Sequence, residues 1–307
     1  YDLKVPLDAA RCLDKGSDAY WRILRGLERA VQLVDLRSPF SPAFYESVEA
    51  ARTCLREEFV QKDCGREAPL VHCVGHTHID VAWLWTLAQT REKVQRSFST
   101  VLRLMEQYPE YRFMSSQPQL YQYVKEEAPE LYRQILQRVK EGRWEVEGAM
   151  WLEADCNLPS GESLVRQILH GKRFMQEEFG VDSHILWLPD VFGYSAALPQ
   201  ILRKSGVDQF FTTKISWNEY NRLPYDAFLW QGIDGSEVFT CFGTARDLPK
   251  PGEQDTNTTY TGTTEPTMVA GAWARFQQKE YSDQTLITFG YGDGGGGPTR
   301  HNLETQR

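Results

Sequence analysis

Residues 70–80 read LVHCVGHTHID, an apolar run that passes directly into a polar cluster. The run at residues 70–74 predicts a short buried strand, and residues 81–107 predict a long helix. The polar residues therefore follow the carboxyl end of a strand and precede a helix. In parallel α/β folds this is where the functional site lies.

The alternation of strand and helix continues beyond this segment. Further strands are predicted at residues 111–114, 144–147, 184–188, 209–213, 227–230, 238–242 and 285–289, and further helices at 119–141, 161–179 and 196–204. Residues 246–266 are rich in Pro, Gly, Thr and Asp and predict a long loop. The alternation predicts an α/β fold with a largely parallel sheet, either closed as a barrel or open.

A helical hairpin is predicted ahead of this part of the chain. Residues 17–36 carry apolar side chains at helical spacing. Ser41 and Pro42 are typical of an N-cap followed by a proline in the first turn of a second helix. The chain is accordingly predicted to divide into a helical N-terminal segment, residues 1–67, and an α/β domain, residues 68–307.

Composition excludes some classes of function. The 307 residues carry 34 Lys and Arg against 42 Asp and Glu, a net charge of −8, which lacks the basic footprint of a nucleic-acid-binding protein. The apolar runs are far shorter than the ~20 residues of a membrane span, and the first residues predict no leader peptide. The scattered cysteines favour reduced thiols and a cytoplasmic protein. They are Cys12, Cys54, Cys64, Cys73, Cys156 and Cys241.

Three candidate metal ligands lie within five residues after the first strand. In an extended segment alternate residues share a face, so His76, His78 and Asp80 are expected to point the same way. Imidazole and carboxylate groups are good ligands for zinc and similar divalent ions. The alternative is a polar loop with hydrogen-bonded histidines, but the clustering at a strand end favours a metal.

Two single carboxylates follow other strands. Asp190 lies in WLPDVFGYS at residues 187–195, where it is a third candidate ligand or, alternatively, the N-cap of the next helix. Asp293 is the one carboxylate in FGYGDGGGGP at residues 289–298. The glycines match G-x-G-x-x-G only formally, because no βαβ unit follows. They leave Asp293 without bulky neighbours, although a Ca²⁺ turn or a flexible loop fits the same residues.

A fourth polar segment, residues 148–157, also follows a predicted strand. Glu153, Asp155 and Asn157 alternate within it and are predicted to hydrogen-bond sugar hydroxyl groups or to orient metal ligands. The alternative is a solvated loop with a turn at Asn157.

Together these segments resemble the family 38 glycoside hydrolases, the retaining α-mannosidases. The motifs that carry the resemblance are HTHIDVAW at residues 76–83, WLEADCNLPSGE at 151–162, DVFGYS at 190–195 and GDGGGGPT at 292–299. They extend in the family's order over about residues 68–300. The second motif is similar to the cytosolic and bacterial branch of the family.

The resemblance implies a seven-stranded β/α barrel and a retaining, exo-acting enzyme that hydrolyses mannose-containing oligosaccharides. It also implies a divalent metal, zinc or alternatively cobalt, held by His78, Asp80 and Asp190. Asp190 is implied to be the nucleophile as well, and Asp293 the acid/base. The positions that match the mannose site are Trp83, Phe192 and Lys214, and those expected to support the ligands are His76, Glu153 and Asp155.

One departure from the family concerns the metal site. Family members carry a fourth ligand, a histidine in a later His-Asp motif, and further domains downstream, whereas His301, the one late histidine here, lacks that context. We therefore expect the 307-residue chain to bind metal weakly and to show little turnover. Two other functions stay open: a metal-dependent polysaccharide deacetylase, and a truncated barrel that binds without catalysis. A homo-oligomer is compatible with the sequence.

Overall fold

The computed structural model describes residues 1–63, 69–218, 220–250, 252 and 257–307. Its first helices are α1 (Lys4–Arg11), α2 (Asp18–Leu33) and α3 (Pro42–Leu55). A π-helical turn (Arg56–Val60) and the short α4 (Gln61–Asp63) follow. The predicted hairpin is present as α2 and α3, whereas α1 was not predicted.

The N-terminal helices combine side-chain caps with a shared apolar face. Ser17 and Ser41 accept hydrogen bonds from the N–H groups of Tyr20 and Phe44, each at 3.2 Å. Pro42 occupies the first turn of α3, as predicted. A separate small core joins the three helices, and its buried members are Ala10, Ile23, Leu27, Ala30, Ala51 and Leu55.

Strands and helices alternate through the rest of the described chain. The strands are β1 (Leu70–His76), β2 (Phe113–Ser115), β3 (Trp144–Val146), β4 (Ile185–Trp187), β5 (Gln209–Thr212), β6 (Ala227–Gln231), β7 (Glu237–Phe242) and β8 (Gln284–Phe289). The helices are α5 (Leu87–Gln107), α6 (Pro118–Glu127), α7 (Pro129–Lys140), α8 (Gly161–Phe179), α9 (Leu198–Lys204), α10 (Pro266–Arg275) and α11 (Arg300–Gln306), with a 3₁₀ turn at Lys214–Ser216.

The strands pair into two four-stranded sheets. One has the order β3-β2-β1-β8 and is parallel throughout. The other has the order β4-β5-β7-β6, in which only β6 is antiparallel to its neighbour. The predicted α/β fold with parallel strands is thus confirmed. Closure into a seven-stranded barrel stays a prediction, because the described strands divide between two sheets.

Large side chains fill the space between the two sheets. Trp187 of β4 stacks on Phe211 of β5 with ring centroids 3.9 Å apart, and Met114 of β2 belongs to the same buried cluster. A parallel bridge joins Gly148, beyond β3, to Leu186 of β4. The sheets therefore face a common interior, and the carboxyl ends of their parallel strands lie at the same end of it.

The helix predicted from residue 81 begins only at Leu87. Thr86 and Gln89 form a capping box at its start, and the Trp85 Nε1–H donates to the Asp80 carbonyl group at 3.2 Å. A capping box satisfies the first free N–H groups of a helix and so fixes where it starts. Residues 81–86 are instead an irregular connection.

Two further helices, α10 and α11, were not predicted. The sequence of α10 is PTMVAGAWAR, which is apolar on most sides and shows no helical stripe. In α11 the start is defined by a capping box between Thr299 and Asn302 rather than by apolar spacing. The described part of the loop predicted at 246–266 contains no helix or strand before α10, and residues 251 and 253–256 lie outside the described chain.

The described part of the chain contains no helix that is both long and apolar enough to cross a membrane. Five of the six cysteines are free thiols, as predicted, and Cys64 lies outside the described residues. The predicted domain boundary at residues 67 and 68 also lies outside them, and it stays a prediction.

Candidate active site

Polar side chains from four strand ends meet at the carboxyl end of the sheets. The segment after β1 supplies His78 and Asp80, and the segment after β4 supplies Asp190. The loop beyond β3 supplies Glu153, and the loop after β8 supplies Asp293. All five side chains line one pocket. Because parallel strands end at the same edge, residues far apart in sequence are brought together here.

The glycine-rich loop after β8 packs tightly on the extension of β1. Ile79 forms a bridge with Gly294, and the Asp80 N–H donates to the Asp293 carbonyl oxygen at 2.9 Å. A Cβ atom on Gly295 would lie 2.7 Å from Ile79 Cδ1, so this glycine permits the close approach. Asp293 has a φ of 56°, in the left-handed region that non-glycine residues rarely adopt. Such strained residues concentrate at functional sites.

His78 lies at the centre of the cluster and is buried. Its Nδ1 is 2.5 Å from Glu153 Oε2, and its Nε2 is 3.1 Å from Asp80 Oδ1 and 3.4 Å from Asp190 Oδ2. Burial alone would lower the pKa of this imidazole, but the surrounding carboxylates raise it well above its usual value. The surroundings therefore favour positive charge, either a proton on the ring or a metal ion in its place.

Glu153 fixes the orientation of the His78 ring. Its second oxygen, Oε1, accepts a hydrogen bond from Ser116 Oγ at 2.6 Å, and its N–H donates to Gln117 Oε1 at 3.3 Å. The Glu153 carboxylate takes up Nδ1, so Nε2 faces the other carboxylates. Metal-binding histidines are commonly oriented in this way, by a carboxylate on the ring nitrogen that does not bind the metal.

The donor set fits a divalent metal ion. One ligand atom from each of His78, Asp80, Asp190 and Asp293 lies within 4.8 Å of all the others. An imidazole nitrogen combined with carboxylate oxygens suits zinc and related ions. The structure thus brings the three predicted ligands together. It adds Asp293, which was predicted as the acid/base rather than as a ligand.

His76 does not face this cluster, so the expectation that the three alternating residues share a direction is wrong for it. Its Nδ1 lies 3.0 Å from the Met114 carbonyl oxygen, and its Nε2 accepts from Trp187 Nε1–H at 3.4 Å. Burial lowers its pKa to about 4, so the ring is neutral at pH 7. The regular strand ends at His76, and alternation does not continue beyond that point. His301 lies on α11, with Nε2 2.6 Å from Glu265 Oε1, and does not line the pocket.

Asp190 is held by two cationic partners. Lys214 Nζ lies 2.7 Å from its Oδ1, while His78 approaches its Oδ2. Burial would raise the pKa of this carboxyl group, but the hydrogen bonds to His78 and Lys214 lower it to about 2. Asp190 does not cap the following helix, since α9 begins at Leu198 and has Ala197 at its N-cap.

Tyr260 joins the two carboxyl groups, a role that no local pattern in the sequence indicates. Its hydroxyl group donates to Asp190 Oδ2 at 2.8 Å and also hydrogen-bonds Asp293 Oδ1. Burial and the two carboxylates raise the pKa of the phenol, so it keeps its proton. The phenol thus lies between the two carboxyl groups and holds them in a fixed arrangement.

The pocket has a volume of about 430 Å³. Its lining includes every predicted site residue except His76 and Asn157, together with Val191 and Tyr260. Trp83 and Phe192 are well exposed, at 59% and 78%. The Asp155 carboxylate accepts the N–H groups of Asn157 and Leu158 at 2.9 and 3.3 Å. A turn is therefore present in this segment, but the Asp155 side chain forms it, whereas the prediction placed it at Asn157.

Comparison with known proteins identifies the family. Residues 68–307 match the family described as Glycosyl hydrolases family 38 N-terminal domain. Alpha-mannosidase G of Dictyostelium discoideum is 40% identical over 264 residues, which are 86% of this chain and 23% of that protein. The alpha-mannosidase of Saccharomyces cerevisiae is 39% identical, over 87% of this chain and 25% of that protein. Human Alpha-mannosidase 2C1 is 38% identical, over 99% of this chain and 27% of that protein.

Among solved structures, an alpha-mannosidase from Enterococcus faecalis V583 superposes with a TM-score of 0.59 at 18% identity. The match covers 78% of this chain and 26% of that one, and it shows a shared fold. The chain spans about a quarter of the length of the curated relatives it matches. The family match and these sequence identities show that the chain belongs to glycosyl hydrolase family 38 and that residues 68–307 correspond to the N-terminal domain of that family.

Proposed function

We propose that this protein is a retaining, exo-acting α-mannosidase that releases mannose from mannose-containing oligosaccharides. The observation that carries the proposal is the pair of carboxyl groups, Asp190 and Asp293, joined by the Tyr260 hydroxyl group inside the pocket. The similarity to proteins named as alpha-mannosidases from slime mould, yeast and human supports the substrate class.

The spacing of the two carboxyl groups supports retention of configuration. One oxygen of Asp190 lies within 4.8 Å of one oxygen of Asp293, and the Tyr260 hydroxyl group hydrogen-bonds both residues. Retaining glycosidases hold their carboxyl groups about 5–5.5 Å apart, whereas inverting enzymes need about 6.5–9.5 Å to admit a water molecule. The short distance between the two oxygens is closer to the retaining separation than to the inverting one.

Asp190 is the proposed nucleophile. The ammonium group of Lys214 on Oδ1 and the hydroxyl group of Tyr260 on Oδ2 orient the carboxylate and keep it ionised. Its attack forms an ester bond to the anomeric carbon while the bond from that carbon to the leaving oxygen breaks. The product of this step is a mannosyl-aspartate ester.

Asp293 is the proposed acid/base. Its proton passes to the leaving oxygen as the glycosidic bond breaks, and the resulting carboxylate then takes a proton from the water that cleaves the ester. The hydrogen bond between Tyr260 and Asp293 orients this carboxyl group towards the pocket. The strained backbone of the glycine-rich loop positions this carboxyl group.

His78, Asp80 and Asp190 are the proposed ligands of a divalent metal, with zinc favoured by the donor set. When bound, such an ion supplies charge stabilisation and orients substrate hydroxyl groups. Trp83 and Phe192 line the same pocket and offer apolar surface against one face of the sugar ring.

The direct test of the function is hydrolysis of an aryl α-mannoside by the purified full-length protein. We expect turnover that a chelator abolishes and that added Zn²⁺ or Co²⁺ restores, with the matching β-mannoside as the control. NMR of the first product should show the α-anomer. Release of the β-anomer would contradict the retaining mechanism. Cleavage of acetyl groups from a polysaccharide with no glycosidic cleavage would contradict the function.

The two histidines of the His-Thr-His segment should differ in their effect on metal binding. We expect His78→Ala to lower metal affinity by more than the roughly 10–100-fold typical of losing an outer partner, because Nε2 is a proposed ligand. His76→Ala should keep its metal, since that ring is neutral and faces the interior. Elemental analysis of each variant after dialysis measures its metal content and so tests both expectations.

Folding of the two variants is compared by circular dichroism, so that loss of metal is separated from loss of structure. Equal loss of metal from two folded variants would refute the choice of His78 over His76.

A further inference from the structure

Trp217 lies directly outside the pocket and is connected to the nucleophile through one side chain. It follows the 3₁₀ turn Lys214–Ser216 after β5, and 56% of it is exposed. The Lys214 ammonium group lies 4.0 Å from the centroid of the Trp217 ring, and the same nitrogen is 2.7 Å from Asp190 Oδ1. A cation over an indole face is attracted by the electron density of the ring. One face of Trp217 is thus engaged at the pocket wall.

Hydrogen bonds hold the ring in place. The Trp217 Nε1–H donates to the Thr258 carbonyl oxygen at 2.8 Å. Ser216 accepts the Thr258 N–H at 2.9 Å, and its own hydroxyl group hydrogen-bonds the Thr258 hydroxyl group at 2.9 Å. Thr258 is buried and lies two residues before Tyr260. The indole is therefore fixed to the segment that carries Tyr260, although much of its surface is open to solvent.

The exposed surface of this immobilised indole is available to a ligand of suitable chemistry. In an exo-acting enzyme the pocket holds the terminal sugar, so any sugar contacted outside it belongs to the leaving group. Trp217 does not line the pocket, whereas Lys214 and Tyr260 beside it do. The C–H groups on one face of a pyranose ring carry partial positive charge and pack on the negative face of an aromatic ring.

We propose that Trp217 is the stacking platform for the first sugar of the leaving group. This inference rests on the proposed function. Because the ring is already fixed by Thr258 and Lys214, little side-chain freedom is lost when a sugar binds it. Trp217 therefore distinguishes an oligosaccharide from a mannoside whose leaving group is small.

The test compares two substrates that share the same reacting mannose. One is an α-linked mannobiose, whose leaving group is a sugar, and the other is α-mannosyl fluoride, whose leaving group is one atom. We expect Trp217→Ala to lower the ratio of kcat/KM for mannobiose to that for the fluoride by about ten-fold. Trp217→Phe, which keeps a ring, should lower the ratio less. Trp21→Ala removes a similarly exposed indole from α2 and should leave the ratio unchanged.

The outcomes separate this inference from the function on which it rests. An equal loss on both substrates would mean that Trp217 acts only by positioning Lys214, and it would overturn the platform. An unchanged ratio would overturn it as well. Absence of wild-type activity on both substrates would overturn the proposed function, and the inference with it.

Discussion

Asp190→Asn is expected to lower kcat/KM for an aryl α-mannoside by roughly 10³–10⁵-fold, the range in which losses of essential catalytic groups fall. The amide keeps the shape of the side chain but cannot attack the anomeric carbon. The substitution also removes the negative charge of Asp190, which Lys214 and His78 contact. Metal content of the variant is measured alongside, because Asp190 is a proposed ligand too.

A trapping experiment assigns the nucleophile independently of the rate. A 5-fluoro mannosyl fluoride should leave a covalent adduct on the peptide that contains Asp190 in the full-length protein. Asp155→Asn is the matched control: its carboxylate lines the same pocket but accepts the backbone N–H groups of Asn157 and Leu158. That variant should still form the adduct. An adduct on Glu153, Asp155 or Asp293 instead would show that the nucleophile is wrongly assigned.

Asp293→Gly is expected to lower kcat/KM for substrates with poor leaving groups by about 10²–10⁴-fold, the usual contribution of general acid–base catalysis. Glycine is chosen because Asp293 has a φ of 56°, where alanine would be strained. A leaving group that is a strongly acidic phenol needs no proton. For an aryl mannoside with such a leaving group, the fall in kcat/KM should therefore be far smaller.

Azide provides the second measurement on this variant. It needs no general base, so it should accelerate turnover of the Asp293→Gly protein and give the α-mannosyl azide of retained configuration. The control is Asp293→Asn, which tolerates the left-handed backbone and leaves less space for azide. Rates like those of the wild type on a poor leaving group would rule out Asp293 as the acid.

Local patterns in the sequence were sufficient for the strands and for most of the candidate site. The apolar run before His76 and the single carboxylates after other strands identified which residues would reach the carboxyl end of the sheets. Parallel strands share that end, so His78, Asp80, Asp190 and Asp293 meet there without any knowledge of the strand order.

The features that were missed depend on contacts between distant segments. Tyr260 lies in a stretch predicted only as a long loop, and its role appears once that loop packs against β8, where Thr288 Oγ1 donates to its carbonyl oxygen at 3.0 Å. The direction of His76 was wrong because alternation holds only within a regular strand. The spacing of apolar and polar residues does not predict the path of the loop that carries Tyr260 or the residue at which β1 ends.

The pairing of β1 with β8 has a consequence for how the molecule folds. Thr77 donates to the Tyr291 carbonyl oxygen across 214 residues of chain, next to the bridge between Ile79 and Gly294. Closing so large a loop is entropically costly and makes such contacts slow to form. Asp293 can approach Asp190 and Tyr260 only after this closure, so the proposed nucleophile and acid/base come together late. The proposed metal ligands, by contrast, follow β1 and β4, so an ion bound there would stabilise the native state by mass action without depending on the loop after β8.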